Sequence, residues 1–296
     1  MSKIAIVYNG RSEEANAFCQ KLANYLNAQG AELFHPDQKY GFTLDDIKKY
    51  DFSGVDAAVV LGGDGTVLAS GRIMSKYNVP LLGVNMGKVG FLTEVEVSDA
   101  FRACDRMLAQ DYQLEQRMLL QSSLWRQGKV LASATAFNDL VVKNSHYARS
   151  VILNLLIDGK LVNAYQADGL IVSTPTGSTG YSFSAGGPIV ACQMDLMMIT
   201  PVCPHSFFSR PIIVSAQSDV EIVCRSKSDH ISLTIDGQFA SNLRLDDTLK
   251  VATAKDKVRM IRFGEICFYD RIKSKLNYDF HLDMDAPLPP TLRKNQ

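Results

Sequence analysis

The chain has 296 residues, 46% hydrophobic and 21% charged, values that fit a globular protein with a sizeable core and room for two domains. Lys plus Arg equals Asp plus Glu at 31 each, so there is no general attraction for nucleic acid or an anionic membrane surface, and any anion must be bound locally. No apolar run reaches the ~20 residues of a membrane span.

Lys3 to Tyr8 reads as a first strand, and its apolar run is too short for a signal peptide. Ser12 to Gln29 has helical spacing, with Ala15, Phe18, Cys19, Leu22 and Leu26 on one face and Gly30 placed to end it. Asp56 to Leu61 is the next strand, followed by Gly62-Gly63-Asp64-Gly65-Thr66 and a helix expected over Val67 to Lys76. Val79 to Val84 is a third strand, and a helix over about Ser98 to Gln110 closes this half. Strands alternating with helices predict a parallel sheet, with ligands beyond the carboxyl ends of its strands.

Beyond about residue 115 the texture changes to β-prone runs separated by the turn pairs Gln127-Gly128, Asp158-Gly159 and Asp236-Gly237. Val151 to Ile157, Gly169 to Ser173, Val220 to Cys224, Ile231 to Ile235 and Val258 to Phe263 are expected strands of an antiparallel β-sandwich. The expected division is an α/β domain over 1–112, a β-rich domain over 113–264, and a segment over 265–296 that returns toward the first domain and ends in a Pro-rich surface arm. The six cysteines show no C-x-x-C spacing. They are expected as buried hydrophobes in a reducing cytoplasm.

Three glycine-bearing clusters carry the chemistry. In the first, Gly62, Gly63, Gly65 and Thr66 form a strand-to-helix turn that aims backbone N–H groups at one spot, a natural phosphate cradle. A carboxylate repels a bound phosphate, so Asp64 there makes sense as a base for an attacking hydroxyl or as a contact to magnesium. A plain helix cap is the competing reading. The three glycines of the second cluster, Gly83 to Leu92, suggest a backbone held close to a ligand or to another chain, with a plain loop as the competing reading. Asn85 is placed to bond a ribose or an amide. The third runs from Asp168 to Pro188, where Ser and Thr hydroxyls suit polyoxygen ligands and Tyr181 offers a ring face. There is no G-x-x-x-x-G-K-[ST], no protein-kinase set and no H-E-x-x-H. His205 is the histidine to watch, between Pro204 and Ser206.

In this order the clusters resemble the NAD kinases, over about residues 57 to 275. The resemblance rests on Gly62 to Thr66, on Gly83 to Gly87 with Gly90-Phe91-Leu92, on Asn138-Asp139, and on Asp168 to Pro188. The first motif is shared with diacylglycerol and sphingosine kinases and with phosphofructokinases, whereas the third sets the NAD kinases apart. The resemblance implies an α/β amino-terminal domain, a β-rich carboxy-terminal domain and an active site between them. It implies transfer of the γ-phosphoryl of ATP, or of polyphosphate, to the 2′-hydroxyl of the adenosine ribose of NAD. Magnesium is implied as a divalent cofactor arriving with ATP, with no metal site of the protein's own.

By motif match Asp64 is the general base. Asn138 and Asp139 contact ribose or adenine. Thr179, Gly180, Tyr181 and Ser184 line the dinucleotide pocket, and Asp168 lies near the nicotinamide end or across a subunit interface. Phe91, Thr176 and Gln238 complete the expected cofactor-binding set. A homodimer or homotetramer is implied, with no nucleic acid or membrane partner. The family usually has Asn-Glu where this chain has Asn138-Asp139, and often Ala where it has Gly180. A lipid kinase of the same superfamily and a non-catalytic nucleotide sensor are the alternatives. The first needs an apolar pocket or a membrane-facing patch, and the second would be expected to have lost Asp64.

Overall fold

The computed structural model describes residues 2–10, 12–35, 41–45, 47–87, 90–144, 150–206, 209–227, 230–265 and 268–276. Residues Met1–Phe263 form one compact unit and Gly264–Gln296 a second. The described part of the second unit includes a helix over Phe268–Leu276. The Pro-rich arm, Cys267, His146 and His281 lie outside the described residues.

Three sheets are seen among the described residues. The first holds β1 (Lys3–Tyr8), β2 (Glu32–Leu33), β3 (Phe42–Thr43), β4 (Ala57–Leu61), β5 (Leu81–Asn85), β6 (Val95–Glu96), β7 (Gln113–Arg117) and β20 (Val258–Arg262). Strands β1, β4, β5 and β20 run parallel, and β7 closes the edge antiparallel to β20. Both β4 and β5 are buried at every residue, as befits parallel strands covered on both faces. Helices α1 (Glu13–Ala28) and α3 (Ala100–Leu108) cover one face, with Cys19, Leu22, Leu26, Ala103 and Met107 packed on Ile4, Ile6, Val59 and Leu82. Ser12 caps α1, its Oγ accepting from the Ala15 N–H at 3.1 Å.

Helix α2 (Asp64–Met74) covers the other face through Val67 and Met74. It starts earlier than the expected Val67. Gly63 is its extended N-cap, and the N–H groups of Thr66 and Val67 already donate to the Gly63 carbonyl. The glycine turn is therefore the first turn of the helix, with Asp64 inside it.

The other two sheets are antiparallel and stack as the expected sandwich. One runs β12 (Lys160–Ala167), β11 (Val151–Ile157), β16 (Val220–Cys224), β19 (Thr248–Thr253), β8 (Leu120–Arg126), β9 (Lys129–Ala136). The second runs β15 (Ile212–Ser215), β14 (Leu196–Val202), β13 (Gly169–Ser173), β10 (Asp139–Asn144), β17 (Ile231–Ile235), β18 (Gln238–Leu243). Leu124, Leu153, Leu155 and Ile222 from one sheet meet Leu140, Val142, Leu170 and Val172 from the other in a shared core. The turn pairs Gln127-Gly128, Asp158-Gly159 and Asp236-Gly237 all take positive φ at both residues, the hairpin geometry that matches strand twist.

Two strands from the stretch expected in the β-rich half, β7 and β20, lie instead in the first sheet. Val258 and Met260 on β20 pack beside Val67 and Met74 of α2. Just before β10, Phe137 also enters this core, fully buried, so the sandwich is anchored in the α/β layer.

Candidate functional site

The carboxyl ends of β1 and β3 and one face of α2 border a cleft of about 700 Å³. Its walls include Asn9 and Gly10 after β1, Lys48, and Gly65, Thr66 and Arg72 of α2. Gln238 contributes from the sandwich. Gly62 must be glycine, because a Cβ there would sit 2.3 Å from the Thr66 Oγ1. The cleft thus has a helix start and the cations Lys48 and Arg72 in its wall, the elements of an anion site.

Asp64 lines no wall of this cleft. Its Oδ2 accepts from the Phe91 N–H and its Oδ1 from the Leu92 N–H, both at 2.9 Å. The first and second glycine clusters are therefore tied together through this carboxylate. A carboxylate has about four acceptor positions, so two remain for a substrate hydroxyl.

Asn85 does not take up the expected ligand-facing task. It is buried, and its Nδ2 donates to both oxygens of Glu96 at 2.9 and 3.1 Å and to the Gly87 carbonyl. Its Oδ1 accepts from the Gly87 N–H. The amide shapes the second glycine loop from within.

A second cleft, of about 270 Å³, is lined by Leu68 of α2, Asn138, Asp139, Val141, Lys143, Tyr181, Thr234, Asp236 and Gly237. Asp236 organises it. Its buried carboxylate accepts from the N–H groups of Phe137, Asn138 and Asp139 at 2.7 to 3.2 Å and faces the Arg72 Nε at 3.3 Å. Arg72 also donates to the Gln238 Oε1 at 3.2 Å. Helix α2 and the turn 236–238 thus form a wall common to both clefts. Burial, helped by the neighbouring Asp236 charge, pushes the Asp139 carboxyl up to about 7. The Asn138 Oδ1 is buried with no partner, an acceptor left open for a ligand.

The third cluster folds tightly against this pair. A Cβ on Gly177 would lie 2.2 Å from the Asn138 carbonyl oxygen, and one on Gly180 would lie 3.4 Å from the Asn138 Nδ2. The hydroxyls largely serve the loop itself, contrary to the expectation that they serve a ligand. Thr174 donates to the Phe137 carbonyl at 2.7 Å, Ser178 bridges the Val190 backbone, and Ser182 pairs with Thr200 at 2.9 Å. Thr176 is buried and accepts from Arg117 at 3.3 Å, and Thr179 donates to the Thr176 carbonyl. Tyr181 is partly exposed in the second cleft, and burial raises its phenol, keeping it neutral.

The structure therefore collects Gly65, Thr66 and Gln238 at the first cleft, beside the Gly62-Gly63 turn and the Asp64–Phe91 contact. It collects Asn138, Asp139 and Tyr181 at the second, with Gly180 packed beside them. Asp168 and Ser184 are exposed and line neither cleft, and His205 is exposed on a loop. Arg72 and Asp236 are site-building residues that the sequence reading missed. Asp236 was visible only as a turn residue and Arg72 only as a polar position on a helix.

Comparison with known proteins shows the family. Residues 4–112 match the model of the ATP-NAD kinase N-terminal domain and residues 137–263 that of the ATP-NAD kinase C-terminal domain. The chain is 35% identical over 279 residues to the NAD kinase of Moorella thermoacetica, covering 93% of this chain and 89% of that one. It is 35% identical over 285 residues to the NAD kinase of Geotalea daltonii, covering 94% and 99%. Among solved structures, yeast NADH kinase complexed with NADH superimposes with a TM-score of 0.85 at 21% identity, over 96% of this chain and 89% of that one. An Archaeoglobus fulgidus NAD kinase in complex with ATP gives 0.70 at 23% identity, over 93% and 97%. With both halves matched and relatives aligned along nearly their whole length, this chain belongs to the ATP-NAD kinase family.

Proposed function

We propose that the two adjoining clefts divide the work of the family's reaction, phosphorylation of NAD by ATP to give NADP. The observation that carries the reading is their common wall, α2 and the turn 236–238, which lets a phosphoryl donor and a ribose acceptor meet. The triphosphate lies in the first cleft, against Gly65, Thr66, Lys48 and Arg72 and beside the Gly62-Gly63 turn. The adenosine of NAD lies in the second, against Asn138, Asp139, Gly180 and Tyr181. Asp64 takes the proton of the 2′-hydroxyl as that oxygen attacks the γ-phosphorus, and the bond to ADP breaks. Phosphoryl transfer needs positioning and charge neutralisation more than covalent chemistry, and this site supplies both.

Magnesium enters as part of the ATP substrate and keeps several of its waters. Among the described residues no three His, Cys, Asp or Glu side chains converge on one point. Phe91, Thr176, Thr179, Ser184 and Asp168 support the pocket or the far end of the dinucleotide. The five described cysteines are free and four are buried, which fits a cytoplasmic enzyme. A homodimer or homotetramer is the proposed assembly.

The test mixes purified protein, ATP, magnesium and NAD and reads NADP enzymatically. Magnesium-dependent NADP formation is the expected result. Phosphorylation of lipid instead would select a lipid kinase, and NAD binding without turnover would select a sensor.

A further inference from the structure

A largely buried ionic network on β7 and β20 is not used by the reaction as described. Arg262 of β20 donates through Nε to Glu115 at 2.7 Å and through Nη1 to Glu94 at 2.9 Å and to the Leu92 carbonyl at 3.1 Å. Arg117 of β7 donates to the same Glu115 oxygen at 2.9 Å and to the Thr176 hydroxyl at 3.3 Å. Glu94 also accepts from the Phe263 N–H, and Glu115 from the Cys192 thiol. Burial raises the Glu115 carboxyl, but Arg117 and Arg262 outweigh it and hold the group down at about 2, so Glu115 is ionised at all working pH. Buried ion networks are costly to assemble and are weak sources of stability, so an apolar filling would hold the fold about as well. What an apolar filling lacks is fixed direction.

That direction converges on one residue. Leu92 gives its N–H to Asp64 and its carbonyl to Arg262. The same network reaches the third cluster through Thr176, next to Gly177, which packs on Asn138. We infer that Arg262 is a positioning residue for phosphoryl transfer. It acts through the two peptide groups that flank the Leu92 Cα to fix the Asp64 carboxylate, while Arg117 ties the loop that borders the NAD cleft to the same frame. Guanidinium is suited to the task because its rigid planar fork holds the Nε and Nη1 donors in fixed directions toward Glu115, Glu94 and a carbonyl, whereas an ammonium is a compact point donor on a flexible stem. The inference rests on Asp64 being the base.

A double-mutant cycle on the full chain tests it. Arg262→Gln should lower kcat by ~10-fold or more while the KM for NAD stays within about twofold, because small displacements of a reacting group are expensive in rate. Arg262→Lys should recover part of the loss. In an Asp64→Asn background Arg262→Gln should lower kcat by less than about twofold, since the group it positions has been removed. An equal loss in both backgrounds would make Arg262 a structural residue only and overturn the inference. If Arg262→Gln does not fold, Glu94→Gln runs the same cycle with the same two outcomes. Near-normal turnover of Asp64→Asn alone would sink the assignment of the base, a separate result.

Discussion

Gly90 and Asp64 are packed so closely that a Cβ on the glycine would sit 2.1 Å from the Asp64 Oδ1. The second glycine cluster is thus shaped around the carboxylate of the first. Gly90→Ala should push that carboxylate off the Phe91 and Leu92 N–H groups and lower turnover by ~10-fold or more with the protein still folded. Gly87, three positions earlier in the chain, has open space where a Cβ would go. Gly87→Ala should be near normal, and parallel steady-state kinetics would show the contrast. Equal activities would mean that the Asp64 contact has no bearing on rate.

Asp64→Asn keeps the helix start but removes the base. Turnover should fall ~100-fold or more, with NAD binding little changed, as for an interaction made in the transition state. Titration calorimetry for NAD beside initial rates separates the two effects. Retained turnover would make Asp64 a clasp for residues 91 and 92 alone.

Asp139 is the specificity element of the second cleft. Asp139→Ala should raise the KM for NAD by ~10-fold, as expected for losing a charged hydrogen bond of about 1.5–3 kcal/mol. Asp139→Glu restores the longer side chain and should keep activity. The ionised form is the better acceptor for ribose hydroxyls, so the KM for NAD should fall as pH rises through about 7, where this carboxyl titrates.

The same shift has a stability consequence of opposite sense. The folded value lies above the ordinary ~4 of an aspartate, so between those limits the folded state binds more protons than the unfolded one. Stability from this group is greatest below pH ~4 and is lost as pH rises toward about 7. Thermal melts of the wild type and Asp139→Asn from pH 5 to 8 should converge at the acid end. A constant difference would show that the carboxyl is not titrating there.

Gly71 on α2 lies against Phe137, where a Cβ would meet the ring at 2.8 Å. Phe137 is fully buried in the α/β core and leads directly into Asn138 and Asp139. Gly71→Ala should cost about 1–3 kcal/mol by overpacking, read as a lower denaturation midpoint. It should also weaken NAD binding, because the ring and the polar pair share one stretch of backbone. An unchanged midpoint would mean that Phe137 moves aside freely.

Local features were legible in the sequence. The three hairpin turns could be read because Asp-Gly and Gln-Gly pairs accept positive φ, and β11, β13, β16 and β17 follow their apolar runs residue for residue. The glycine turn was legible because strand, glycines and helix are contiguous. Pairing across the chain was not. Val258–Arg262 has the composition of any half-buried strand, and nothing local says that it lies beside Leu81. The hydroxyls of the third cluster misled because composition records how many donors exist and not which way they point. Arg72, Asp236 and Arg262 went unnoticed for a similar reason. A lone charge on a helix, a turn or a strand reads as a solvated face until the fold supplies its partner.

The placement of β20 also bears on how the protein is made. Its residues, 258–262, stand between β5, at 81–85, and β7, at 113–117. The whole sandwich is thus threaded into the chain between two neighbouring strands of the first sheet. A ribosome that has delivered the first 112 residues has delivered β5 with β4 and β6 beside it, but its edge at Leu81 lacks β20 until almost the entire chain has emerged. The first sheet is therefore completed only late in synthesis, and a nascent chain halted before residue 258 leaves the place of β20 between β5 and β7 unfilled, a strand edge of the kind that invites aggregation.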